Sequence, residues 1–116
     1  MPSAKRIILV QNDPYLIETR KALLEQHGYV VENVHSLEEA RTVCRQLACD
    51  LVIVDSEEDY RSATDLCQEI KAENPDMAVA VLTWDAAEVE SDCPDEVIKR
   101  RNGPRELLDK VKLALG

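Results

Sequence analysis

One carboxylate at the end of an apolar run stands out as a residue that could do chemistry. Asp55 directly follows the apolar residues 51–54, and a carboxylate in that position can act as a nucleophile or as an oxygen ligand for a divalent cation. Other apolar runs also end in polar side chains: Gln11, Asn12 and Asp13; Thr83, Trp84 and Asp85; and Lys99, Arg100 and Arg101. If these runs are strands of one sheet, their polar ends form a candidate functional rim.

Short apolar runs alternate along the chain with segments of helical periodicity. The runs at 7–10, 51–54 and 78–82 predict strands that are buried on both faces, and weaker runs at 30–31 and 97–98 predict two more. Apolar residues at helical spacing follow the strands. The predicted order is βαβαβαβ(α)βα.

Residue types at the predicted helix ends support this order. Asp13 with Pro14 predicts the start of the first helix, and Gly28 predicts its end. Ser36 with Glu39 forms a capping-box pattern for the second helix, and Ser62 is a candidate cap for the third.

Strands that alternate with helices predict a parallel sheet with helices on both faces. Ligands of such sheets bind at the carboxyl ends of the strands. With 116 residues, the chain fits a single domain spanning residues 1–116.

Composition excludes several classes of function. The net charge of −9, together with no Phe, one Trp and three Tyr, argues against a nucleic-acid-binding surface. There is no apolar stretch of about 18 residues and no signal-peptide core. We therefore expect a cytoplasmic protein that does not enter a membrane.

The four cysteines lack the C-x-x-C spacing of common metal and redox motifs. Cys44, Cys49, Cys67 and Cys93 are interpreted as small buried hydrophobic residues. A redox role stays open for Cys44 and Cys49.

In several segments the sequence resembles the receiver domain of bacterial response regulators. The segments are IILVQNDP (7–14), GYVV (28–31), DLVIVD (50–55), VLT (81–83) and ELLDKVKLAL (106–115). They occur in the family's order with nearly its spacing and span most of the chain. The resemblance implies a flavodoxin-like, doubly wound sheet of five parallel strands in the order 2-1-3-4-5.

The resemblance also implies a reaction. Asp55 occupies the position of the aspartate that accepts a phosphoryl group from a sensor histidine kinase. Thr83 matches the hydroxyl residue that bonds the phosphoryl oxygen. Mg²⁺ normally assists by cancelling charge and aligning oxygens, and here Asp13, Asn12 and Asp55 would be its ligands.

Several positions depart from the family pattern. The family's acidic pair after the first strand is replaced by Gln11 and Asn12, which should weaken Mg²⁺ binding strongly. Its lysine after the last strand is replaced by Arg100, with Lys99 as the alternative alignment, and the proline that follows is missing. An arginine there could lock onto Asp55 in place of a phosphate. The segment from Trp84 to Cys93 is shorter than usual, which predicts a stunted fourth helix.

Three functions follow from this reading. The first is a divergent receiver, not an enzyme, that acts mainly as a protein-interaction module for a histidine kinase or another signalling protein. The second is a working receiver that is phosphorylated on Asp55 with Mg²⁺. The third, a small-molecule binder or enzyme on the same scaffold, has little support because no glycine-rich loop follows the first strand. The sequence leaves the oligomeric state open.

Overall fold

The computed structural model describes residues 4–56, 60–84 and 93–115. It contains five strands, β1 (Arg6–Val10), β2 (Val30–Val34), β3 (Leu51–Asp55), β4 (Ala78–Thr83) and β5 (Glu96–Lys99). The helices are α1 (Pro14–Gln26), α2 (Leu37–Gln46), α3 (Tyr60–Glu73) and α4 (Pro104–Leu115), and a short 3-10 turn covers Arg100–Asn102. The predicted stunted helix before β5 falls on residues 85–92, which lie outside the described residues.

All five strands are parallel and form one sheet in the order β2-β1-β3-β4-β5. This confirms the predicted doubly wound topology. Among the described residues, no helix is long and apolar enough to cross a membrane.

The helix ends follow the local chemistry of the sequence. The Asp13 carboxylate accepts hydrogen bonds from the backbone N–H groups of Tyr15 and Leu16, which starts α1 as predicted. Gly28 follows α1 with a φ of 90°, a left-handed conformation that favours glycine. The prediction that Ser62 caps α3 is wrong, because α3 begins two residues earlier, at Tyr60.

The two faces of the sheet bury separate apolar clusters, since alternate residues of a strand point to opposite sides. Ile7, Leu9, Leu51 and Ile53 face α1 and α4. The intervening strand residues pack on the other face with residues of α2 and α3. Asp55 lies two residues after Ile53, so this alternation directs it to the α1 and α4 side.

A carboxylate just before β5 joins three elements of the fold. Asp95 accepts hydrogen bonds from the Val79 backbone N–H, at 2.8 Å, and from Lys71 Nζ of α3, at 2.6 Å. The Asp95 N–H in turn donates to the Val79 carbonyl. These bonds hold the chain that leads into β5 against β4 and α3.

The Asp95 contacts predict a pH-dependent contribution to stability. Burial raises the pKa of Asp95, but the bonds from Lys71 and Val79 outweigh it and hold this pKa below the ordinary value of 3.8. A carboxylate with a lowered folded-state pKa stabilises the fold above that ordinary value and loses the effect as the pH falls through the folded-state pKa. Asp95→Asn should therefore lower the urea midpoint near neutral pH, and the gap to the wild type should close in acid. Asp76→Asn, at an exposed position, is the control, and a gap that persists unchanged in acid would contradict this role.

Candidate functional site

The strand register brings the predicted rim together at the middle of the sheet. Val10 of β1 pairs with Val54 of β3, so Gln11 and Asp55 follow side by side. Leu82 of β4 pairs with Asp55, and Thr83 comes next. The carboxyl ends of three adjacent strands thus meet around Asp55.

The carboxylate of Asp55 is buried and paired with cations. Its side chain has no exposed surface, and its Oδ2 atom lies 2.6 Å from Nη1 of Arg20. The same oxygen accepts a hydrogen bond from Nε2 of Gln11. Its other oxygen, Oδ1, lies 3.6 Å from Nη1 of Arg100. One carboxylate is therefore enclosed by two guanidinium groups and an amide.

Gln11 connects Asp55 to the loop after β1. Its Oε1 atom accepts hydrogen bonds from the backbone N–H groups of Asn12 and Asp13, both at 3.0 Å. A carboxylate only accepts hydrogen bonds, so the NH₂ end of the amide is the one that faces Asp55. Gln11 is 2% exposed and acts as a buried bridge, whereas an acidic residue here would repel the Asp55 carboxylate.

Arg20 is the residue that sequence reasoning missed. It lies on α1, on the helix face that carries Leu16, Leu23 and Leu24, and only 11% of its side chain is exposed. A charged residue within an apolar helix face normally has a buried partner. That pattern is the signal that could have identified it.

Arg100 lies near the other carboxylate oxygen of Asp55. It begins the 3-10 turn directly after β5, and with Arg20 it lines a groove of about 620 Å³ between α1 and α4. Lys99, the alternative alignment, is exposed and its backbone N–H donates to the Glu106 carboxylate. The structure therefore brings Arg100 close to Asp55, and Thr83 lies fully buried at the neighbouring strand end.

The three candidate metal ligands make different contacts. Asn12 is exposed, and the Asp13 carboxylate bonds the first turn of α1. Oδ2 of Asp55 is taken by Arg20 and Gln11. Within residues 4–56, 60–84 and 93–115, no group of three or more His, Cys, Asp or Glu could hold a metal ion. This donor arrangement fits Mg²⁺ poorly, because Mg²⁺ requires near-octahedral oxygen ligands. The acidic residues 57–59 lie outside the described part.

A polar cavity of about 220 Å³ lies on the other side of Asp55, bordered by Asn12, Ser36 and Ser56. Ser56 is 5% exposed, and its hydroxyl has no hydrogen-bond partner among the described residues. A cavity of this size and polarity can hold ordered water, which would satisfy that hydroxyl.

The fold and the site together define a class of protein: a doubly wound domain with an aspartate at the end of its central strand, flanked by a hydroxyl residue and a cationic residue at the ends of the next two strands. Residues 7–110 match the family model described as the response regulator receiver domain, and the chain belongs to this family. It is a receiver domain of two-component signalling.

Solved structures agree with this assignment. A CheY-like response regulator receiver domain protein from Methanospirillum hungatei is 26% identical, with a TM-score of 0.85, 97% of this chain and 94% of that chain covered. The response regulator TrrA from Thermotoga maritima, in complex with Mg²⁺ and BeF, is 30% identical, with a TM-score of 0.85 over 96% of this chain and 99% of that one. A second structure holds TrrA in complex with the histidine kinase ThkA, with a TM-score of 0.83, 30% identity and coverage of 97% and 99%.

Proposed function

We propose that this receiver domain acts mainly as a protein-interaction module in which phosphorylation of Asp55 is weakened or lost. The observation that carries the proposal is the buried ion pair between Arg20 and Asp55, 2.6 Å long with the Asp55 side chain fully covered. The partner is a sensor histidine kinase or another signalling protein.

Phosphoryl transfer first requires an accessible nucleophile, and the ion pair with Arg20 makes the Asp55 carboxylate inaccessible. A carboxylate oxygen attacks phosphorus with a lone pair, and Oδ2 of Asp55 directs its lone pairs to Arg20 and Gln11. Charge-assisted hydrogen bonds of this kind are about twice as strong as neutral ones. A phosphodonor would have to displace these groups and reach a side chain that has no exposed surface.

The second requirement is a cation that neutralises the phosphoryl oxygens. Arg20 supplies positive charge at Asp55, but a guanidinium offers hydrogen bonds and cannot coordinate oxygens as a metal ion does. Gln11 and Asn12 add no negative charge to attract Mg²⁺. We therefore expect this chain to bind Mg²⁺ weakly. TrrA, whose structure contains Mg²⁺ and BeF, is the protein against which its Mg²⁺ affinity can be compared.

An interaction module needs a surface, and exposed apolar side chains lie near the rim. Trp84 directly follows β4 and is 60% exposed, and Tyr15 in the first turn of α1 is 72% exposed. Large aromatic side chains are frequent anchors of protein interfaces. TrrA binds the histidine kinase ThkA, which supports a kinase as one class of partner here.

The test is incubation with a small phosphodonor such as acetyl phosphate and excess Mg²⁺, followed by intact mass measurement, with TrrA treated in parallel. We expect TrrA to gain a phosphoryl group and this chain to be labelled to roughly a tenth of that extent or less. The bound is an order of magnitude, because changes to the groups around a metal site typically lower metal affinity or activity by about tenfold or more. Asp55→Asn is the matched control. Labelling that equals that of TrrA and disappears in Asp55→Asn would overturn the proposal.

The second candidate function is a working receiver that is phosphorylated on Asp55. The positions of Thr83 and Arg100 favour it, since a buried hydroxyl residue and a cation stand at the ends of the two strands beyond Asp55. In this case Arg100 would move from Asp55 to the phosphoryl oxygens. The same labelling experiment separates the two functions.

A further inference from the structure

Two cysteines that are distant in sequence lie with their sulfur atoms nearly in bonding contact. Sγ of Cys67, on α3, is 2.7 Å from Sγ of Cys93, just before β5. Neither Cys67 nor Cys93 is part of a disulfide in this structure. Non-bonded carbon atoms prefer about 3.5–4.0 Å, and sulfur is larger than carbon. The two side chains therefore already point at each other with no atom between them.

The surrounding contacts place this pair independently of the sulfur atoms. Lys71 lies one helical turn after Cys67, on the same face of α3, and Asp95 lies two residues after Cys93. Lys71 and Asp95 form an ion pair of 2.6 Å. Cys67 and Lys71, one turn apart on α3, thus face Cys93 and Asp95 in the chain that leads into β5. The hydrogen bonds between Asp95 and Val79 fix that chain to the sheet.

We propose that Cys67 and Cys93 form a reversible disulfide when the protein meets a peroxide-class oxidant. The Cys93 thiolate attacks one peroxide oxygen, the O–O bond breaks, and a sulfenic acid and one water form. The Cys67 sulfur then attacks Cys93 Sγ, the S–O bond breaks, and the hydroxide leaves as a second water with the Cys67 proton. Two thiols lose two electrons and the peroxide gains them, and a dithiol reductant reverses the change.

The two cysteines differ in ways that fit these roles. Cys93 is half-buried and open to a small oxidant, whereas Cys67 is fully buried. Burial raises the pKa of the Cys67 thiol, so it is a poor first nucleophile. It is well placed as the resolving thiol, because a sulfenic acid on Cys93 would form against it.

The other two cysteines provide an internal comparison. Cys44 near the end of α2 and Cys49 in the connection to β3 also interact, and Cys49 Sγ donates a hydrogen bond to Met77 Sδ at 3.6 Å. They are only five residues apart, so a bond between them would close a short loop and constrain the unfolded chain little. A bond from Cys67 to Cys93 closes a much longer loop and ties α3 to the edge strand β5.

Trypsin makes the test direct because it separates all four cysteines into different peptides, 42–45, 46–61, 62–71 and 72–99. The full chain is treated with hydrogen peroxide, unfolded in denaturant so that buried thiols can react, blocked by alkylation and digested without reduction. We expect a cross-linked pair of peptides 62–71 and 72–99 from the monomer. The loop-closure model also predicts a rise of about 15 °C in the melting temperature, reversed by a dithiol.

Variants separate this bond from general oxidation. Cys93→Ser should lose both the cross-link and the rise in melting temperature. Cys67→Ala should lose both as well, and it serves as the second variant in case serine at position 93 disturbs folding. The Cys44→Ala/Cys49→Ala variant should keep both. The proposal is overturned if Cys67 stays alkylatable after peroxide treatment, if peptides 42–45 and 46–61 are the pair that joins, or if the bond forms only between two molecules.

Discussion

Arg20→Met should lower the free energy of unfolding by about 3 kcal/mol near neutral pH, the low end of the range for breaking a buried ion pair. Methionine keeps most of the side-chain volume but leaves the Asp55 carboxylate buried against Gln11 and the more distant Arg100. The expected loss comes from a buried charge without its main partner. Urea or guanidinium unfolding of the two proteins measures it.

A double variant and a surface control isolate this effect. Arg20→Met/Asp55→Asn removes both charges and should recover to within about 1 kcal/mol of the wild type, because a neutral pair has no buried charge to leave uncompensated. The exposed pair between Arg45 and Glu73 supplies the control, since Arg45→Met should lower the free energy of unfolding much less than Arg20→Met does. If Arg20→Met lowers the free energy of unfolding no more than Arg45→Met does, the buried ion pair at Asp55 does not stabilise the fold more than an exposed one.

Restoring the family's acidic pair should restore metal-dependent chemistry. In the variant Gln11→Asp/Asn12→Asp/Arg20→Met, three carboxylates meet at the strand ends without a competing guanidinium from α1. We expect Mg²⁺ affinity and acetyl phosphate labelling to rise about tenfold or more over the wild type. Mg²⁺ should also stabilise this variant more than the wild type, because it relieves repulsion among the carboxylates.

The control for this gain is the same variant with Asp55→Asn, which should lose the labelling entirely. Titration calorimetry with Mg²⁺ and intact mass measurement report the two effects separately. If the triple variant binds Mg²⁺ tightly and still gains no phosphoryl group, some feature other than the metal site limits the reaction. If it binds Mg²⁺ no better than the wild type, the substitutions at Gln11, Asn12 and Arg20 do not explain the weak site.

The fold could be predicted from the sequence because the patterns that indicate its strands and helix ends are local. Buried parallel strands appear as apolar runs such as 51–54, and Asp13, Gly28 and Ser36 mark helix ends through short-range hydrogen bonds. Asp55, Thr83 and Arg100 were predicted together for the same reason. Each lies at or directly after the end of a strand, and parallel strands place their carboxyl ends at one edge.

The partners of Asp55 could not be predicted in the same way. Arg20 reaches it only because α1 packs over that edge of the sheet, which is a tertiary contact between residues 35 apart in sequence. The role of Gln11 depends on which end of its amide faces the carboxylate. The pairing of Cys67 with Cys93 likewise follows from how α3 meets the chain before β5, and spacing alone pointed to Cys44 and Cys49 instead.

The central claim is that Arg20 holds Asp55 in place of a metal and a phosphoryl group. The most direct measurement is fluorine NMR of the wild-type chain with Mg²⁺ and beryllofluoride, followed by a crystal structure from the same solution. The ion pair predicts no slowly exchanging bound fluoride signal, and Arg20 still bonded to Asp55 in the crystal. A bound signal, with beryllofluoride and Mg²⁺ on Asp55 and Arg20 displaced, would contradict the claim and establish a working phosphoacceptor.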